Sequence, residues 1–248
     1  YKDLIEFTDF KEATQMKFDS PLIGYSSTMA LKQLYLADAY MNSSSDEFLR
    51  SWQKGMKFWR MLLSKSHLLI TRMVSAATVL TSIDSLSTAI KQDTFLPQQL
   101  LHLQTSINTL NKQEIDLSIT VKSEFKSFLS IYDDPELQIN FGNAFTNMFY
   151  QPQATKNIQF KKVTEVILIV SKKSTKEFYD YINSQQFDSD SESTFPWSPS
   201  TLYNPAGKMV TGLAVPSYSH YVARMHDLNG MFYLLKLQIE IALKPEQS

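Results

Sequence analysis

Apolar residues in this chain recur mostly three and four positions apart, the spacing of one face of an α-helix. Trp52, Met56, Trp59 and Leu63 form one such stripe. From His67 to about Lys91, Leu69, Ile70, Met73, Val74, Ala77, Leu80, Ile83 and Leu86 keep helical spacing, and Ala76, Val79 and Ala89 widen the face. This predicts the central, most buried helix. Met29, Leu31, Leu34 and Tyr35 predict an earlier helix ending near Met41. Ile115, Ile119, Phe125 and Leu129 predict another over 112–131. Tyr218, Tyr221, Val222, Met225, Leu228, Phe232, Leu235 and Ile239 predict a long final helix from Pro216 to Leu243. The run Val163–Val170 is rich in β-branched residues, which suits a strand. Val163, Val166, Ile167 and Val170 fit a helical face equally well, and no partner strand is evident, so a helix is expected.

Polar punctuation sets the boundaries. Ser44 or Ser45 can cap a helix whose first turn carries Asp46 and Glu47, an arrangement that suits the helix dipole. Pro97 is placed as the first residue of a helix running to Leu110. Asp133-Asp134-Pro135 stops the helix before it. Ser174 caps a helix over 175–184, and Asn204 precedes Pro205 as cap and first residue of a short helix. The stretch 185–200 is acidic and Ser-rich and predicts a mobile loop. No solenoid-type repeat is present. The expected fold class is all-α, a single non-repeat domain over residues 1–248 of roughly eight to nine helices, with a C-terminal helical module at 201–244.

Composition narrows the function. Of 248 residues, 43% are hydrophobic and 20% charged, enough apolar surface for a folded core. The formal net charge of -1 argues against nucleic acid as a partner. Six glycines and no Gly-rich phosphate loop argue against nucleotide folds. The absence of Cys excludes disulfides and thiolate metal sites. No metal and no cofactor is expected. No uninterrupted apolar run approaches the ~18 residues of a membrane span, so membrane attachment is expected only through an anchor outside this chain.

Several phrases occur together: Phe58-Trp59-Arg60, Ile70-Thr71-Arg72-Met73, Gln151-Pro152-Gln153-Ala154-Thr155-Lys156-Asn157, Leu202-Tyr203-Asn204-Pro205-Ala206-Gly207-Lys208 and Tyr221-Val222-Ala223-Arg224-Met225-His226-Asp227-Leu228. As a set they resemble a group of uncharacterised proteobacterial envelope proteins that carry a Tyr-Asn-Pro-x-Gly-Lys motif. The resemblance spans about residues 21–242. It implies a soluble helical domain behind a membrane anchor, at the periplasmic face of the inner membrane. It implies no activity.

The residues themselves offer little catalysis. No Gly-x-Ser-x-Gly is present, and His220 and His226 are six apart, which is not a metal-binding spacing on a helix. These histidines are expected to be solvated or capping. Charges set in apolar helices are more informative, because a buried charge needs a partner. Arg72 is expected to pair with Glu124, and Asn204, Lys208, Arg224, His226 and Asp227 are candidates for one polar network or ligand pocket. Phe141, Phe145, Phe149 and Tyr150 are candidates for an adhesive surface. The leading expectation is a non-enzymatic interaction or assembly domain of the bacterial envelope with a protein partner. The alternatives are a small-ligand binder or hydrolase with a pocket near Lys208, Arg224 and Asp227, and, third, a secreted effector.

Overall fold

The computed structural model describes residues 1–12, 24–133, 150–184, 203–205, 207, 208, 211 and 218–244. The fold is all-α, with no strand among the described residues. A 3-10 turn at Leu4–Glu6 precedes α1 (Tyr25–Asn42), α2 (Ser45–Lys65), α3 (Leu69–Lys91), α4 (Pro97–Ser106), α5 (Lys112–Ile115) and α6 (Ser118–Asp133). Then follow α7 (Pro152–Lys172), α8 (Thr175–Ser184) and α9 (Tyr218–Leu243). The run at 163–170 is helical, inside α7. The helices form two compact units. One holds the N-terminal segment, α1 to α5 and α9 from Ala223 onward; the other holds α6 to α8 and the chain through Val222.

The expected caps form. Ser44 Oγ accepts the Glu47 amide while the Glu47 carboxylate accepts the Ser44 amide, a reciprocal capping box that starts α2. Ser174 and Glu177 repeat it at α8. Two boundaries differ from the sequence pattern. The helix after Pro97 ends at Ser106 rather than Leu110. The stretch 112–131 is broken between α5 and α6, because Asp116 Oδ1 accepts the amide of Ser118 and draws the backbone out of the helical ladder.

In the first unit α2 and α3 form an antiparallel pair joined by a short turn. α2 buries Phe48, Trp52, Met56, Trp59, Leu62 and Leu63, as its stripe requires. α3 buries Leu69, Ala76, Val79, Ile83, Leu86 and Ala89, as its apolar spacing requires, on a face that also takes in hydroxyls. Ile70 and Leu80 are exposed at 46% and 37%, whereas Thr71, Ser75, Thr78 and Ser82 are buried. Three of the four hydroxyls are satisfied within the helix, and Thr71 Oγ1 pairs with the Tyr25 hydroxyl of α1. Ser75, Thr78 and Ser82 each donate to the carbonyl four residues back, at 2.7–2.9 Å. A hydroxyl paired in this way acts as a small side chain and leaves room for the large residues of α2. Trp52 Nε1 uses that room and donates to the Ser82 carbonyl at 2.7 Å. Length and composition also make α3 the one described helix apolar enough to cross a membrane, although half of its most apolar window is buried in the fold.

The acid that closes the N-terminus of α3 comes from the N-terminal segment. Glu12 accepts from the amides of His67 (2.6 Å) and Leu68 (2.9 Å) and from the Ser66 hydroxyl. A carboxylate there satisfies orphan amides and suits the helix dipole.

α1 packs through Lys32, Leu36 and Ala39, while Leu31 and Leu34, expected on its inner face, are exposed. Lys32 is therefore a core residue. Its ammonium donates to Thr81 Oγ1 at 2.7 Å and to the Thr78 carbonyl at 3.3 Å. Burial lowers its pKa from 10.5 to about 8, and the charge of Asp84 only partly opposes this. Below about pH 8 folded and unfolded chains both carry the proton, and burying the charge costs a constant amount. Between about pH 8 and 10.5 the folded chain gives up the proton first, so stability gains with rising pH. Lys32→Met is expected to raise the unfolding midpoint at pH 7. That advantage should shrink steadily across the same window in a pH series of denaturant melts.

Candidate functional site

The densest polar construction in the first unit surrounds residues 107–115. After α4 the chain runs extended at Ile107 and leaves backbone carbonyls without helical partners. Two arginines supply the donors. Arg60 of α2 grips Glu114 through Nε at 2.6 Å and Nη2 at 2.7 Å, and donates to the carbonyls of Asn108 (2.7 Å) and Thr109 (3.0 Å). Its guanidinium also lies over the Phe232 ring of α9, 5.1 Å from the centroid. Arg72 of α3 donates through Nη2 to the carbonyls of Gln113 (2.7 Å) and Glu114 (3.0 Å). Asn229 of α9 accepts the Leu110 amide at 2.9 Å. Asn111 and Glu114 cap α5 reciprocally, at 3.0 Å and 2.7 Å. Glu114 is buried at 3% and Arg72 at 1%. Arg72 stands out in the sequence as a charge in an apolar helix; Arg60 and Glu114 do not, although Asn111-x-x-Glu114 is a legible capping pattern.

Beside this clamp a cleft of about 440 Å³ opens between the N-terminal segment and α2. Lys54, Lys57, Arg60 and Lys65 line it, with the exposed ring of Phe7. Three of these cations are engaged: Lys54 with Glu6 at 2.6 Å, Lys65 with Asp9 at 2.5 Å, and Arg60 with Glu114. No histidine lines the cleft. The Lys54–Glu6 and Lys65–Asp9 pairs link the N-terminal segment to α2.

The predicted polar residues are divided between the units. Asn204 and Lys208 belong to the second, as does Glu124; Arg72, Arg224, His226 and Asp227 belong to the first. Asn204 is buried at 2% in a left-handed conformation, φ 56°. Its Oδ1 accepts the amides of Gln151 (2.8 Å) and Gly207 (3.2 Å), and its Nδ2 donates to Thr155 Oγ1 at 2.9 Å. It is thus the expected cap, and it also ties the start of α7 to the helical residues Pro205, Gly207 and Lys208. A Cβ on Gly207 would run into Thr155 Oγ1 and the Asn204 amide. The Asn-Pro-x-Gly phrase is therefore a packing knot. Lys208 is half-buried, and its amide donates to the Asn204 carbonyl. Glu124 is half-buried, and its charge adds to burial in pushing the Tyr218 phenol upward.

His226 is buried rather than solvated. Burial holds its pKa below the ordinary 6.5, with Asp227 opposing, so the ring is neutral at pH 7. Arg224 and Asp227 are exposed. Among the described residues, no cluster of His, Asp or Glu is arranged to hold a metal ion.

Of the proposed adhesive aromatics, Phe141, Phe145 and Phe149 lie outside the described residues, as does the acidic stretch 185–200, and Tyr150 is half-buried. The exposed apolar surface that the structure does describe is elsewhere. On α9, Tyr233, Leu234, Leu237 and Ile241 are exposed at 60%, 59%, 51% and 60%. They lie opposite a core stripe of Met225, Leu228, Phe232, Leu235 and Ile239. Leu31, Leu34 and Met41 of α1 are likewise exposed. In comparisons of the chain with protein-family models, with curated proteins and with solved structures, nothing matches.

Four variants test these roles. Arg60→Ala leaves the buried Glu114 carboxylate without its cation and is expected to cost about 3–5 kcal/mol in denaturant unfolding. Adding Glu114→Ala should recover part of that loss, giving a double variant more stable than the sum of the singles. Gly207→Ala is expected to cost about 2 kcal/mol or more through the collision at Asn204. Gly55→Ala, whose added Cβ meets only Tyr1 Oη at 3.6 Å, should be neutral or stabilising.

Proposed function

We propose that this chain is a non-enzymatic protein-interaction or assembly domain. The observation that carries the proposal is the outward face of α9. Leu234, Leu237 and Ile241 follow one another at spacings of three and four, each at least half exposed, on a helix whose opposite face is core. Apolar residues grouped in that way mark interaction surfaces, whereas scattered ones need no explanation. The charges of half-buried Arg60 and of buried Arg72 and Glu114 are bound into the architecture, which supports the same reading. The location we propose with it, the periplasmic face of an inner membrane, rests on the sequence resemblance alone.

The test uses a photo-reactive residue placed at position 237 of the chain in intact cells, with position 57 as the exposed polar control. The expected result is an adduct of discrete mass from 237 and none from 57. Leu234→Glu/Ile241→Glu should abolish that adduct while leaving the thermal midpoint within about 2 °C, because neither side chain is in the core. Labelling of 237 no more specific than that of 57 would overturn the proposal.

A further inference from the structure

The outward face of α9 has a finer order than a patch. Asp227, Gly230, Leu234, Leu237, Ile241 and Lys244 are all exposed and follow at spacings of three, four, three, four and three. That is a heptad seam, the pattern with which one helix meets another along its length. It covers 17 intervals, or about 26 Å at 1.5 Å per residue.

Gly230 adds an independent indication. It sits inside a helix, where glycine costs roughly 1 kcal/mol relative to alanine. Its φ is not positive, and a Cβ built there meets nothing within 4 Å. Neither backbone conformation nor packing among the described residues calls for glycine at this position. A glycine on an exposed seam leaves a recess into which a large side chain from outside can fit.

We infer that the occupant of this face is a second copy of the same chain, with the two α9 helices antiparallel about a two-fold axis. This rests on the interaction reading above and names its partner. In an antiparallel pair each a position faces a d position of the other helix. One register places Leu234 of each copy against Leu237 of the other. The same register places Ile241 against Gly230, a branched apolar side chain opposite the recess. It also places Lys244 against Asp227, opposite charges closing both ends. Along the flanks Tyr233 comes beside Glu240, a phenol donor beside a carboxylate. Every layer is complementary to its counterpart, and the contact is isologous, so it closes at two copies. Sliding one helix by a heptad sets Leu234 against Lys244 and removes the charge pairing.

The absence of cysteine gives a clean test on the full chain. In this register Gly230→Cys chains mixed with Ile241→Cys chains place thiols in one layer. Either variant alone sets its two thiols 11 residues apart along the axis, about 16 Å. A short thiol-specific cross-linker is expected to join the mixture into a dimer and to leave each single variant at 28.5 kDa. Sedimentation equilibrium of the unmodified chain should show a reversible shift toward twice that mass. Leu237→Glu should weaken it at least ~10-fold. Lys244→Asp should weaken it as well, and Asp227→Lys in the same chain should restore it. A monomer at all concentrations together with a discrete adduct of another mass at position 237 would overturn self-pairing and leave the interaction reading standing. A monomer with no specific adduct would overturn both. Equal cross-linking of mixed and single variants would overturn the register.

Discussion

The first unit depends on a carboxylate that two helices cannot do without. Glu114 is nearly inaccessible to water, yet it carries a charge, and the Arg60 fork makes that burial tolerable by meeting both oxygens. The consequence extends past the ion pair. Because Arg60 also reaches the carbonyls of Asn108 and Thr109, and Arg72 those of Gln113 and Glu114, a stretch with few backbone bonds of its own is satisfied by side chains from α2 and α3. Ile107, Leu110 and Glu114 of this stretch are buried while Asn108 and Gln113 stay exposed, and orphaned backbone groups beside such an apolar setting cost several kcal/mol. The break after Ser106 and the clamp are linked: the helix ends early, Arg60 takes the carbonyls of Asn108 and Thr109 that follow, and Arg72 takes those of Gln113 and Glu114 in α5.

This explains what was legible in the sequence and what was not. Local chemistry could be read: Ser44 with Glu47, Pro97, Ser174 with Glu177, and Asn204 before Pro205 all do what their positions imply. Residues whose partners are distant in sequence could not be read. Nothing near Glu12 announces that it will cap a helix starting 57 residues later at Leu69. Arg60 and Glu114 are 54 apart, and each in isolation resembles an ordinary surface charge. The distinctive Asn-Pro-x-Gly phrase invited a ligand site, but its specificity is steric: glycine because there is no room, and asparagine because a left-handed residue must also present an amide.

Periodicity misjudged α1 and α3 for a related reason. Hydrophobicity alone assigned Ile70, Leu80, Leu31 and Leu34 to the interior, yet all four are exposed. The faces that pack include Thr71, Ser75, Thr78 and Ser82 among Val79, Ile83 and Leu86 on α3, and Lys32 on α1. Where Trp52 and Trp59 fill the space from the facing helix, the complementary surface has to be small before it has to be apolar. Hydroxyls bonded to their own helix meet that demand. An apolar count cannot see it, because it ranks serine with solvent-facing residues.

The same logic returns at α9, with the opposite outcome. A helix apolar on every side is ordinarily buried on every side. α3 carries its surplus apolar residues beside a face of hydroxyls, at irregular exposure, and half of its most apolar window is enclosed. α9 carries its surplus in a regular seam that nothing in the described structure covers, with a glycine where no contact among the described residues requires one. Core packing selects for volume, and it tolerates uneven spacing as long as space is filled. A sustained three-four alternation on the solvent side answers to a different constraint, the geometry of a second helix lying alongside. The core of this protein accounts for one face of α9, and an encounter with another helix accounts for the other.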